Sequence, residues 1–208
     1  FINSYGRYDY SPMSNPVNTY CIYDLASLTK VIATTSGIMR LTEREMLNLN
    51  DPVCEHIPGF EINNKNQISI KNLLVHNSGL SPGRPLYSCC ETKEIAIDSL
   101  FNLKPQYKTG EKTVYSDLGF IMLGLLVEKI AHQSLSAYVN QILNKEMQMK
   151  ETTFNPDDSF WPRQGFSALP QYRGHWQWRH RWSDFHALGH LVSSRRWQEK
   201  NQRGGPTS

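Results

Sequence analysis

Apolar positions recur at helical spacing in several stretches of this chain, and polar segments rich in Pro, Gly and Asn separate them. From Ala26 to about Leu41, the positions Leu28, Val31, Ile32, Ile38 and Met39, with Thr35 between them, predict a helix that begins at or near Ser27. Thr92 to Leu103 reads as a shorter helix. Tyr115 to Ile130 carries the strongest pattern, with Leu118, Ile121, Met122, Leu125 and Ile130 on one face. Leu135 to Met147 is built on Leu135, Tyr138, Val139, Ile142 and Leu143. Tyr20 to Tyr23 reads as a short strand or extended entry, and Ile68 to Ile70 as an extended piece leading into Leu73-Leu-Val-His76. Turns fall at Asn50-Asp-Pro52 and Ile57-Pro-Gly59, with loops over Asn77 to Gly83 and Pro105 to Thr113. After Phe160 the patterning stops. All five tryptophans lie beyond that point, His175 to Trp182 follows neither a strand nor a helix period, and Gly204 to Ser208 reads as a disordered terminus.

Composition narrows the class without naming a chemistry. The chain has 208 residues, 39% apolar and 20% charged, as expected for one globular domain with a real core. A net charge of +3 is too small to argue for nucleic acid. The basic excess lies after Arg163, so we read it as a boundary, with residues 1–160 a domain and 161–208 an atypical Trp- and Arg-rich tail. The longest apolar run, Gly119 to Val127, falls short of the roughly 20 residues a spanning helix needs and predicts a buried core helix and no transmembrane segment. No signal peptide is visible, although the chain begins at Phe1, which leaves room for an export signal upstream. Cys21, Cys54, Cys89 and Cys90 show no CxxC pair and no metal spacing, which predicts free thiols and leaves the compartment undecided.

Ser27 and Lys30 stand three residues apart at a predicted helix start, a spacing that brings an amine to a hydroxyl. A serine hydroxyl is a poor nucleophile until a nearby base takes its proton, and a lysine whose pKa is lowered by its surroundings can do so. The helix start adds backbone N–H groups that favour developing negative charge. Taken alone, the tetrad reads rather as a helix cap followed by a solvated lysine, and Tyr115 as a core tyrosine at a helix start.

Tyr23-Asp-Leu-Ala-Ser-Leu-Thr-Lys30, Leu73-Leu-Val-His-Asn-Ser-Gly-Leu80 and Gly110-Glu-Lys-Thr-Val-Tyr-Ser-Asp-Leu-Gly-Phe120 occur in that order. Leu123 to Ala131 and Met149 to Phe154 follow. Together these segments, over roughly Tyr20 to Pro156, resemble the serine β-lactamase and penicillin-binding protein family, in its class C-like, esterase and carboxypeptidase branch. The resemblance implies an α/β (α+β) fold, β-lactamase/transpeptidase-like, with a helical region beside an antiparallel sheet that is here incomplete at the C-terminus. It implies Ser27 as nucleophile, Lys30 as its base and Tyr115 as proton-transfer partner, with no cofactor or metal. Asp117 stands where the family most often has Asn; its charge would tend to hold Lys30 protonated, which argues less for a β-lactamase than for a hydrolase in general. His76 receives no role. The implied substrates are small molecules or peptidoglycan peptides: an ester, a D-Ala peptide or a β-lactam. The family suggests a periplasmic or secreted location.

The family's third motif, Lys-Thr-Gly or His-x-Gly on an edge strand, supplies part of the oxyanion hole. Lys108-Thr-Gly110 spells it on the wrong side of Tyr115, and His186-Ala-Leu-Gly189 lacks the spacing. An inactive fragment or a peptidoglycan-peptide binding module is therefore the alternative to a hydrolase. Back-translation of His175 to His186, started one base later, permits Gly-Gly-Leu-Ile-Ser-Thr, which resembles a family segment that belongs near this place. Two readings of the tail follow: a shifted frame beginning near residues 160–174, or a native tail for a partner or an anionic surface. The nucleotide sequence of the gene separates them, since immediate stops in the shifted frame exclude the first.

Overall fold

A computed structural model of the chain describes residues 3–19, 21–84, 86, 90, 92–154 and 191–194. Cys89, the Trp-rich stretch from Trp161 to Trp182 and the segment His186 to Gly189 lie outside them.

Strand β1, Ile22–Asp24, leads through a tight turn into a π-helical segment, Lys30–Thr35, that continues as helix α1, Ser36–Glu43. The wide opening turn is braced by the Thr35 hydroxyl, which donates to the Lys30 carbonyl at 2.9 Å. The helix stands where the apolar pattern predicts it, but it presents a different face to the core. Lys30, Ala33, Thr34, Gly37, Ile38 and Leu41 are buried, whereas Leu28, Val31 and Met39 are exposed. The cause is close packing: a Cβ on Gly37 would already touch the side chains of Val127 and Val139 at 3.4–3.7 Å. A face that approaches a neighbour so closely selects small residues over large apolar ones.

Short helices α2, Val53–His56, and α3, Ile70–Leu74, follow, then α4, Lys93–Phe101, whose N-cap Thr92 accepts from the Ile95 amide. The central helix is α5, Asp117–Ala131, buried from Leu118 to Gly124 and again at Leu126 and Val127. A helix apolar on nearly every side belongs inside, and α3, α1, α2, α6 and the π-helical segment after Thr29 all pack around it. Helix α6, Leu135–Gln141, runs on as a second π-helical segment, Ile142–Glu146. No single helix among the described residues is long and apolar enough to cross a membrane.

Strand β2, Thr152–Phe154, and strand β3, Leu191–Ser194, complete a three-stranded antiparallel sheet in the order β1-β3-β2. Tyr23 and Ser193 are partners on one side of β3, and Thr153 and Val192 on the other. Cys21 and Cys54 are free thiols.

Candidate active site

The turn between β1 and the first helix sets Ser27 at the surface. Ala26 adopts a left-handed backbone (φ 44°), rare for a residue with a side chain. Leu28, Thr29 and Lys30 then donate their amides to Leu25, Ala26 and Ser27 at 2.9–3.1 Å. Ser27 is exposed, while Lys30, one turn on, is buried. The lysine folds back, and its Nζ donates to Ser27 Oγ at 3.4 Å, the long end of the hydrogen-bond range.

Lys30 also meets the start of α5. Its Nζ lies 2.7 Å from Asp117 Oδ1 and 5.1 Å from the centre of the Tyr115 ring. Burial pulls the Lys30 pKa down, but hydrogen bonds with Asp117 and then Tyr115, and the charges of both, outweigh it and hold the amine above its ordinary 10.5. Lys30 is therefore an ammonium in this arrangement, as a charged residue at position 117 implies. Chemically the cluster offers a hydroxyl, an ammonium that can stabilise negative charge, a phenol beside it and a carboxylate on the far side. The structure thus brings together all four residues singled out in the sequence.

The segment carrying Tyr115 and Asp117 is laced to the loop after α3. Val114 donates to the His76 carbonyl (2.8 Å), Ser116 N to His76 Nδ1 (3.0 Å), Ser116 Oγ to the Ser81 carbonyl (2.7 Å) and Asp117 N to the Pro82 carbonyl (2.8 Å). Ser116 also caps α5 by accepting from Gly119. The loop itself turns at Gly79 (φ 88°), where a Cβ would collide with the Tyr107 carbonyl oxygen. Lys108-Thr-Gly110 buttresses the same loop: Thr109 Oγ1 donates to the Ser78 carbonyl at 3.2 Å and the Gly110 amide to that of Asn77 at 2.8 Å.

His76, a residue without an assigned role in the motif, lies against this cluster, its ring centre 4.7 Å from that of Tyr115 and 5.1 Å from that of Phe120. Asn77 N donates to the Asn72 carbonyl (3.0 Å) and His76 N to that of Leu73 (3.2 Å), the paired bonds that close a helix through a left-handed residue, and His76 (φ 57°) is that residue. Glycine is usual there, and a side chain in that conformation costs about 1–2 kcal/mol. Among the described residues, no group of three or more His, Cys, Asp or Glu could hold a metal ion.

The family model described as Beta-lactamase matches residues 3–196. An N-acetylmuramyl-L-alanine amidase of Bacillus subtilis (strain 168) is 33% identical over 162 residues, 71% of this chain and 37% of its own length. A putative D-alanyl-D-alanine carboxypeptidase of Salmonella typhimurium is 31% identical over 167 residues, 72% of this chain and 38% of its own. The chain thus spans well under half the length of these curated relatives. Among solved structures, a class C beta-lactamase superposes with a TM-score of 0.72 at 18% identity, covering 93% of this chain and 53% of that one. A beta-lactamase/D-alanine carboxypeptidase from Yersinia pestis, complexed with citrate, gives 0.67 at 20% identity, covering 94% and 59%. These likenesses establish the fold as that of the β-lactamases and transpeptidases, helices beside an antiparallel sheet. With the match over residues 3–196 and relatives above 30% identity, the chain belongs to the Beta-lactamase family.

Proposed function

We propose that the chain carries the nucleophilic part of a serine hydrolase that forms an acyl-enzyme on Ser27, acting on a D-alanyl-type peptide amide. The observation that carries this reading is Lys30, whose single Nζ reaches Ser27 Oγ, Asp117 and the Tyr115 ring at once. Ser27 Oγ attacks the scissile carbonyl, a C–O bond forms, and the displaced amine leaves with the proton that Ser27 gave up. Tyr115 and Lys30 relay that proton; Lys30, an ammonium at rest, gives its own proton away first or acts through charge while Tyr115 is the base. Water then hydrolyses the ester by the reverse relay. Two named relatives, an amidase and a carboxypeptidase, support an open-chain peptide amide over an ester or the strained amide of a β-lactam as the substrate.

Labelling with a fluorophosphonate or a fluorescent penicillin tests the reading. Covalent label on the wild-type chain and none on Ser27→Ala supports it, and p-nitrophenyl acetate against nitrocefin then sorts ester from β-lactam turnover. The Lys30–Asp117 ion pair favours a second reading, a module that binds peptidoglycan peptides without cleaving them. A folded wild-type chain that never labels yet binds a D-alanyl-D-alanine peptide selects that reading and rejects the first.

A further inference from the structure

The acyl-transfer reading leaves one well-placed ionisable side chain without a task. His76 closes helix α3 from a left-handed position where glycine is the usual residue, so its side chain is present at a conformational cost. What the residue gains is a hold on both chain neighbours of Tyr115 and, through its ring, on the phenol itself. The His76 carbonyl accepts from Val114, on one flank of the tyrosine, at 2.8 Å. Its Nδ1 accepts from Ser116, on the other flank, at 3.0 Å. Its ring packs on the phenol at 4.7 Å. A backbone N–H can only donate, so Nδ1 carries no proton and the ring proton sits on Nε2.

We propose that His76 is a positioning residue that holds the Tyr115 phenol against Lys30, and that it does so only as the unprotonated imidazole. The proposal takes from the preceding reading only that Tyr115 relays the Ser27 proton. A proton on Nδ1 would set two donors face to face across the Ser116 contact and open the clamp. The ionisable groups around the ring are Lys30 from the first helix and Tyr115 and Asp117 from the start of α5. Burial first, and then the Lys30 charge, disfavour the imidazolium, Asp117 favours it, and the balance holds His76 below its ordinary 6.5. The clamp is closed at neutral pH and opens as the solution is acidified through the His76 range.

Three variants of the whole chain separate the parts of the clamp. His76→Gly suits the left-handed backbone but removes acceptor and ring, His76→Asn keeps an acceptor and tolerates that backbone, and His76→Phe keeps a ring without the acceptor. Fluorophosphonate labelling of Ser27 is followed from acid to neutral pH, with melting temperature and the ring resonances of Tyr115 by NMR. The expected result is a His76→Gly chain that melts no lower than wild type, labels at least about tenfold more slowly and lacks the acid limb of the wild-type profile. The Asn and Phe variants fall between, the Phe variant also without the limb. In wild type the Tyr115 resonances follow the His76 titration, and in His76→Gly they stay flat; this readout needs no turnover. A wild-type chain that folds and never labels overturns the hydrolase reading alone. Tyr115 resonances that ignore the His76 titration, or a His76→Gly chain that labels at the wild-type rate with its acid limb intact, overturn the positioning role.

Discussion

Lys30 shares its ammonium between Asp117 Oδ1 at 2.7 Å and Ser27 Oγ at 3.4 Å, and the shorter contact decides its charge. Burial works the other way, so removing the carboxylate leaves desolvation in control. In Asp117→Asn the Lys30 pKa falls, and the pH at which fluorophosphonate labelling reaches half its maximum moves down with it if Lys30 takes the Ser27 proton. An unmoved midpoint assigns the proton to Tyr115 and rejects Lys30 as the base. The ion pair has a stability consequence of fixed sign: a lysine raised in the folded state adds its full contribution below 10.5 and loses it as pH rises through the folded value above that. Ser27, Lys30, Tyr115 and Asp117 were legible in the sequence because their letters and order sit inside motifs. His76 was legible only as a letter, since its role comes from a left-handed turn that brings α3 against the start of α5, a contact between segments about 40 residues apart.

Among the elements, α4, α5 and α6 were readable because each is long enough to show a period, and Thr92, Ser116 and Ser134 mark their starts as side-chain caps. Helices α2 and α3 were not, because a helix of one turn has no period to detect. Helix α3 is specified instead by reciprocal capping, with Ser69 Oγ accepting from the Asn72 amide and Asn72 Oδ1 from that of Ser69. The loop before α3 was equally opaque, since what orders it is Lys65, a residue whose letter signals solvent. Lys65 is fully buried, and its Nζ donates to the carbonyls of Ile62, Phe101 (2.7 Å) and Leu103 (2.9 Å) while lying 5.3 Å from the Phe60 ring centre. It therefore satisfies carbonyls at the C-terminal end of α4 that lack helical partners, with a cation at the negative end of the dipole. Lys65→Met keeps the stem volume and strands those acceptors, which costs about 2–4 kcal/mol. For a chain of this size the melting temperature falls by roughly 4–16 °C. Burial lowers the Lys65 pKa, so the wild-type chain gains stability as pH climbs from the folded value toward 10.5, and the Met variant lacks that gain. A calorimetric scan at neutral and alkaline pH reads both, and an unchanged melting temperature would remove Lys65 from the list of structural ties.

At the scale of the molecule, the order β1-β3-β2 joins the two ends of the described chain. Strand β3, Leu191–Ser194, belongs to the stretch we propose as a separate tail, yet it is the only strand among those described that pairs with both others. Strand β1 in turn ends two residues before Ala26 and fixes the entry to Ser27. Periodicity gave no hint of β3, since a four-residue strand beside Trp- and Arg-rich sequence carries no period of its own. These facts make the proposed boundary at residue 160 testable by cutting there. If β3 supports the site, a chain of residues 1–160 leaves β1 and β2 without a ladder partner, and two short strands unpaired are not stable in water. The cut chain then melts several degrees lower, exposes apolar surface to a dye such as ANS, and labels Ser27 more slowly because the turn at Ala26 has lost its anchor. If residues 161–208 are an appendage, the two chains melt together and label alike, and the boundary stands. Labelling restored by supplying residues 161–208 as a separate peptide would locate the effect in the strand itself, because a peptide can rebuild a ladder but cannot restore a chain whose helical core has failed to fold.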